Sequence, residues 1–288
     1  MREFLKLFRV KQYIKNFFIF LPLFFSLNVL NIEKFTATFF TFVIFSLIAS
    51  SIYIINDIVD VEQDKNHPVK KNRPIASGKI GPKTALFTSF ILSICALFGA
   101  IVLNKYIFFI ILFYYLMNVI YSLKLKNIGL VDVFIIAIGF VCRVLAGSVA
   151  INVIPTNWIV ILTFLLALFL ALAKRYDDVV NMKNKLVTRT NVEKYNTNFL
   201  IAAASMVASI VIVAYIMYTV SDEVIQRFSS HYIYITSIFV IFGILRYLQL
   251  VFVKNELNSC PTEILYSDKY IIFSILFWLS SFVILIYL

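Results

Sequence analysis

The chain has 288 residues, 61% of them hydrophobic and only 14% charged, with a mean hydropathy of +0.92, a balance that excludes an ordinary water-soluble domain. A net charge of +11 would suit nucleic acid, but the bases are dispersed among loops flanking apolar runs, where membrane lipid and substrate phosphates are the expected partners and nucleic acid is not. Cys95, Cys142 and Cys260 lack CxxC spacing, so neither a disulfide framework nor a thiolate metal site is indicated.

Apolar runs of membrane-crossing length fall near residues 14–30, 37–56, 82–103, 106–122, 130–150, 157–173, 198–220, 231–252 and 270–288. They predict an all-α membrane protein, a nine-transmembrane-helix bundle in a single domain over residues 1–288. The first run lacks a small-residue cleavage site and reads as a retained span rather than a signal peptide. Twenty-one of the 26 basic residues lie in the N-terminal tail and the connections after spans two, four, six and eight. The positive-inside bias therefore places the N-terminus in the cytoplasm and the C-terminus outside, in a cell inner or plasma membrane.

Span two ends in Asn56-Asp57-Ile58-Val59-Asp60-Val61-Glu62-Gln63-Asp64, so four of the fifteen acids fall within eight positions. On a helix, Asp57, Asp60 and Asp64 are three and four positions apart and leave one face. Such crowding is unfavourable unless something positive sits there. Lys65, Lys70, Lys71 and Arg73 follow at once, and a hard divalent cation with a phosphorylated ligand would satisfy acids and bases together. Pro68, Pro74 and the turn Ser77-Gly78-Lys79-Ile80-Gly81-Pro82 predict a loop that folds back over the membrane face as a polar cap. His67, in an Asn-His-Pro triple, reads as local backbone geometry rather than a proton carrier.

Further along, Tyr121, Ser122, Lys124 and Lys126 close span four, where phosphate binding and positive-inside anchoring are both open to the two lysines. Arg143 stands well inside span five, where a charge needs a partner or a wet cavity. Asp132, eleven positions earlier, lies on about the same face. The second charged loop, 174–197, opens with Lys174, Arg175, Tyr176, Asp177 and Asp178, and Lys174 with Asp178 also makes a plain i,i+4 ion pair.

Asn56, Asp57, Asp60 and Asp64 form an Asn-Asp-x-x-Asp-x-x-x-Asp run that resembles the first signature of the UbiA-type integral membrane prenyltransferases. The continuation from Asp64 through Lys70, Lys71 and Arg73 to Gly78 resembles the branch that transfers phosphoribose to polyprenyl phosphate, the decaprenyl-phosphate phosphoribosyltransferases. Further matches are Val10-Lys-Gln-Tyr-Ile-Lys15-Asn16, Tyr121 through Lys126, Asp132 with Arg143 and Ala146-Gly147, Lys174-Arg175-Tyr176, Arg246-Tyr247 and Pro261 through Lys269.

The resemblance implies a UbiA-type bundle with a cytoplasmic polar cap and a magnesium-dependent transfer of 5-phosphoribose from phosphoribosyl pyrophosphate to polyprenyl phosphate. Asp57, Asp60 and Asp64 would be the catalytic metal ligands. Lys15, Asn16, Asn56, Lys70, Lys71, Arg73, Tyr121, Lys124, Lys126, Arg143, Lys174, Arg175, Tyr176, Asp177 and Asp178 would line the substrates, with assembly into a homo-oligomer left open. The rival within the family is an aromatic prenyltransferase using a polyprenyl diphosphate. Its members usually carry Asp-x-x-x-Asp at the second acid site, whereas here Asn181 and Met182 follow. A lipid transporter would want more charged or broken helices at the midplane than Arg143 alone supplies.

Overall fold

The computed structural model describes residues 2–183, 195–253, 264 and 267–287; Cys260 and most of the Pro261–Lys269 stretch lie outside them, as does the second charged loop beyond residue 183. The described residues are helical and connected by turns, with no strand among them. The helices are α1 (Arg2–Leu7), α2 (Leu21–Phe25), α3 (Ile32–Val59), α4 (Val61–Lys65), α5 (Pro82–Leu103), α6 (Lys105–Leu123), α7 (Val131–Ala150), α8 (Asn157–Lys183), α9 (Thr197–Thr219), α10 (Asp222–Phe228), α11 (Ser237–Phe252) and α12 (Lys269–Tyr287).

Seven helical stretches among the described residues are long and apolar enough to cross a membrane, within a few residues of the second to eighth expected spans. The stretch Lys269–Leu285 is apolar but shorter. The first expected span is corrected: residues 14–30 do not make one continuous helix. A tightly wound segment, Val10–Phe20, runs into the five-residue α2, which carries Pro22 in its first turn. Proline has no N–H to continue a hydrogen-bond ladder, and Leu27, at φ 60, turns the chain away.

The described residues form two compact units, one of residues 2–164 and one of residues 165–183 with 195–287. In the first, α3 is central and packs against α5, α6, α7 and the Val10–Phe20 segment. Asn31 caps it by accepting from the Lys34 N–H at 3.1 Å. The hydroxyls of Thr38, Thr41, Ser46 and Ser50 return to carbonyls four residues back at 2.7–2.9 Å, which satisfies polar groups where water is absent.

Helix α5 buries a stripe of small residues, Ala85, Ser89, Ser93, Ala96 and Ala100, and turns Phe87, Phe90 and Phe98 outward. Small residues let two backbones approach closely, as helices in lipid require. Ser51 and Ser89 hydrogen bond across the α3–α5 contact at 2.8 Å. In the second unit, α11 packs against α9 and α12, and Tyr215 joins Thr236 at 2.7 Å and Trp278 at 2.6 Å.

Candidate active site

The three aspartates owe their common face to helical hydrogen bonding that survives the junction of α3 and α4. The Asp60 N–H donates to the Asn56 carbonyl at 2.9 Å and the Asp64 N–H to the Asp60 carbonyl at 2.8 Å. Asp57, Asp60 and Asp64 are all buried, at 2%, 7% and 3% exposure. Buried carboxylates remain charged only if cations or donors meet them.

Three cations do so, each from a different segment. Arg9, just after α1, donates to Asp57 and lies over the Tyr53 ring, 5.1 Å from its centroid. Arg73 reaches in from the α4–α5 loop, with one Nη1 placed 2.9 Å from Asp57 Oδ1 and 2.5 Å from Asp64 Oδ2. Lys126, in the turn after α6, donates to Asp60 Oδ1, and Asp60 Oδ2 accepts from Asn56 Nδ2 at 3.0 Å. Asp60 thus faces Lys126 rather than sharing a cation with Asp57 and Asp64. Burial, with the positive charge of Arg9 beside it, pushes the Arg73 guanidinium below its ordinary value.

The segments that carry these cations are pinned locally. Ile75 and Ile80, on the loop, are buried with Leu7, Ile54 and Ala85, so the loop packs onto α1, α3 and α5. Gly78 takes φ +75, a left-handed conformation that favours glycine. His67 Nδ1 accepts from the N–H groups of Val69 and Lys70 at 3.1 and 3.2 Å, a backbone role in keeping with its Asn-His-Pro setting. Arg9 itself is left-handed, at φ 50. Behind it, Ser50 Oγ reaches the Phe8 carbonyl at 2.9 Å and the Tyr13 hydroxyl at 2.8 Å.

Arg143 belongs to a second polar group. Its Nε donates to Asn16 Oδ1 at 2.8 Å, Nη1 to the Gly139 carbonyl at 2.6 Å and Nη2 to the Tyr114 hydroxyl at 3.0 Å. The rings of Phe45, Tyr114 and Phe140 surround the guanidinium within 5.2 Å. Asn16 also donates to Ser46 at 2.9 Å. Ser46 precedes Asp57 by about three helical turns, roughly 16 Å along α3. Arg143 and Asn16 therefore tie the Val10–Phe20 segment to α3, α6 and α7. Gly147 makes that seating possible, because a Cβ there would collide with the Ile19 carbonyl oxygen.

In the second unit, Asp177 and Asp178 are buried on α8, and among the described residues the cations on them come from the same helix. Arg175 Nη1 lies 2.6 Å from Asp178 Oδ2, and Lys174 Nζ lies 3.5 Å from Asp178 and 3.9 Å from Asp177. Tyr176 is buried edge-on to Phe252, 4.8 Å between centroids. Arg246 grips Asp268 through Nη2 at 2.7 Å, and Asp268 caps α12 by accepting from Tyr270 and Ile271 N–H groups at 3.0 Å.

Other expected site residues lie less centrally. Lys71 and Lys124 are exposed, while Lys15, Lys70 and Tyr121 are half-buried. Arg9, the residue the sequence reading missed, was counted only among the topological charges of the N-terminal tail. The one signal for it is its place immediately before the matched run Val10–Asn16.

Arg73 shows what the site can hold. A single positive nitrogen already stands between two buried carboxylates, and oxygen donors of this kind suit a hard divalent cation. Among the described residues no group of three or more His, Cys, Asp or Glu converges closely enough to hold an ion by itself. A metal here would complete its shell with water and with oxygens of an anionic ligand.

Relatives include the decaprenyl-phosphate phosphoribosyltransferases of Mycobacterium tuberculosis, 27% identical over 87% of this chain and 82% of theirs, and of Corynebacterium glutamicum, 28% identical over 99% and 86%. A UbiA homolog from Archaeoglobus fulgidus, solved bound to DMAPP and Mg2+, superposes with a TM-score of 0.73 over 98% of this chain and 99% of that one, at 18% identity. The family model described as the UbiA prenyltransferase family matches residues 17–258. The chain therefore belongs to the UbiA prenyltransferase family, as a multi-pass membrane enzyme.

Proposed function

We propose that the protein transfers 5-phosphoribose from phosphoribosyl pyrophosphate to a polyprenyl phosphate, releasing pyrophosphate. The observation that carries this reading is the convergence of Arg9, Arg73 and Lys126 on three buried aspartates, a charge arrangement made for a polyanion accompanied by a cation. The names of the relatives in Mycobacterium and Corynebacterium, matched over most of both chains, support the same reaction. The reading includes a transmembrane helical bundle acting as one catalytic domain, a cytoplasmic cap formed by the α4–α5 loop, and a cytoplasmic N-terminus in the inner or plasma membrane.

Asp57, Asp60 and Asp64 would hold a magnesium ion, whose chemistry when bound is to neutralise charge on the departing pyrophosphate. Arg9 and Arg73 would offer guanidinium forks to phosphate oxygens, while Lys124 and Lys126, just after α6, would meet a second phosphate. As the anomeric C–O bond of the donor breaks, a lipid phosphate oxygen forms the new bond to that carbon. The nucleophile arrives already anionic, so the residues need only orient it and stabilise the leaving group. No general base is required.

The test is to incubate purified protein with labelled phosphoribosyl pyrophosphate, polyprenyl phosphate and magnesium. Label should enter the lipid phase. Label that stays aqueous while 4-hydroxybenzoate is prenylated from a polyprenyl diphosphate would instead establish the aromatic prenyltransferase.

A further inference from the structure

Arg73 occupies the position between Asp57 and Asp64 where a shared cation would sit, and this has a consequence for the order in which ligands can enter. Building on the functional reading above, we infer that Arg73 is a resident counter-ion, which a divalent cation displaces only in company with a phosphorylated anion.

Charge balance in a buried place sets this order. Among the described residues, Asp57, Asp60 and Asp64 are matched by Arg9, Arg73 and Lys126. A divalent ion added alone leaves two positive charges uncompensated next to buried groups, and a polyphosphate added alone leaves an excess of negative charge; either is costly where water is scarce. Added together, each offsets charge that the other would leave uncompensated. Asp57 keeps Arg9 when Arg73 departs, and Asp64 meets the incoming divalent ion in place of Arg73.

The geometry lets Arg73 move without unfolding its loop. Its side chain is 24% exposed, whereas those of Asp57 and Asp64 are 2% and 5% exposed, and the loop is anchored by Ile75 and Ile80 rather than by Arg73. Once released, the guanidinium presents its planar fork to the same anion. Arg73 thus couples two ligands, and the coupling is reciprocal: the anion tightens metal binding by the factor by which the metal tightens the anion.

Equilibrium dialysis of the full chain in detergent against Mn2+, at matched free Mn2+ and with or without inorganic pyrophosphate, tests this directly. Wild-type protein should retain Mn2+ at least about tenfold more tightly when pyrophosphate is present. Arg73→Met should bind Mn2+ alone about tenfold more tightly than wild type and lose most of the pyrophosphate effect. Should Arg73→Met fail to fold, Arg73→Lys, which keeps the charge but loses the fork, should fall between the two. Mn2+ retention that is abolished by Asp57→Asn yet indifferent to pyrophosphate and to either Arg73 variant overturns this inference and leaves the metal site standing. Absence of Mn2+ retention by wild type even with pyrophosphate overturns the metal site itself.

Discussion

The two acid clusters differ in where their counter-ions come from. Asp57, Asp60 and Asp64 are neutralised by Arg9, 48 residues from Asp57, by Arg73, 16 residues from Asp57 and 9 from Asp64, and by Lys126, 66 residues from Asp60. Among the described residues, Asp177 and Asp178 take Lys174 and Arg175 from the preceding turn of their own helix. A local pair of the second kind forms wherever the helix forms. A distant set of the first kind exists only if α1, the α4–α5 loop and the α6–α7 turn are all seated, so it reports on the whole unit and can be rearranged by a ligand.

The largest expected effect follows from this contrast. Asp57→Asn and Asp60→Asn should each lower transfer of label into lipid by about 100-fold or more, with an unchanged elution profile in detergent showing that the fold persists. Asp178→Asn should cost no more than about tenfold, since it breaks a local pair at a single acid. Equal losses at all three positions would erase the distinction between the clusters.

A smaller effect is expected where the distant set is assembled. Gly147→Ala should push the Val10–Phe20 segment off α7, lowering stability by about 1–3 kcal/mol in thermal unfolding and reducing transfer through displacement of Arg9. A variant with wild-type melting and activity would show that this segment does not position the site. The smallest effect belongs to Lys174→Ala, whose half-exposed i,i+4 pair should contribute no more than about 0.5 kcal/mol. A larger loss in melting would mean that the α8 cluster depends on more than its own helix.

Legibility followed the range of the forces involved. The spans from α3 to α11 were readable because roughly 20 apolar residues in a row have few alternatives to a membrane helix. The first span was misread because hydropathy records neither the missing N–H of Pro22 nor the turn at Leu27. In the site, Asp57, Asp60 and Asp64 were readable as one face, and Arg73 as a partner a short loop away. Arg9 was not, because the reach of an N-terminal arginine over 48 residues leaves no periodicity behind. Arg143 was legible as a charge needing company, but Asn16, Tyr114 and the Gly139 carbonyl as that company were not.

The amino-acid sequence by itself determined which stretches are apolar enough to cross a membrane and that three carboxylates leave one helical face, since both depend on covalent spacing. Tertiary structure alone decided which cation meets which carboxylate. The physical reason is that a buried charge is tolerated only beside an opposite one, and the residue that arrives there is chosen by the packing of Ile75, Ile80, Gly147 and Ser50 rather than by its distance along the chain.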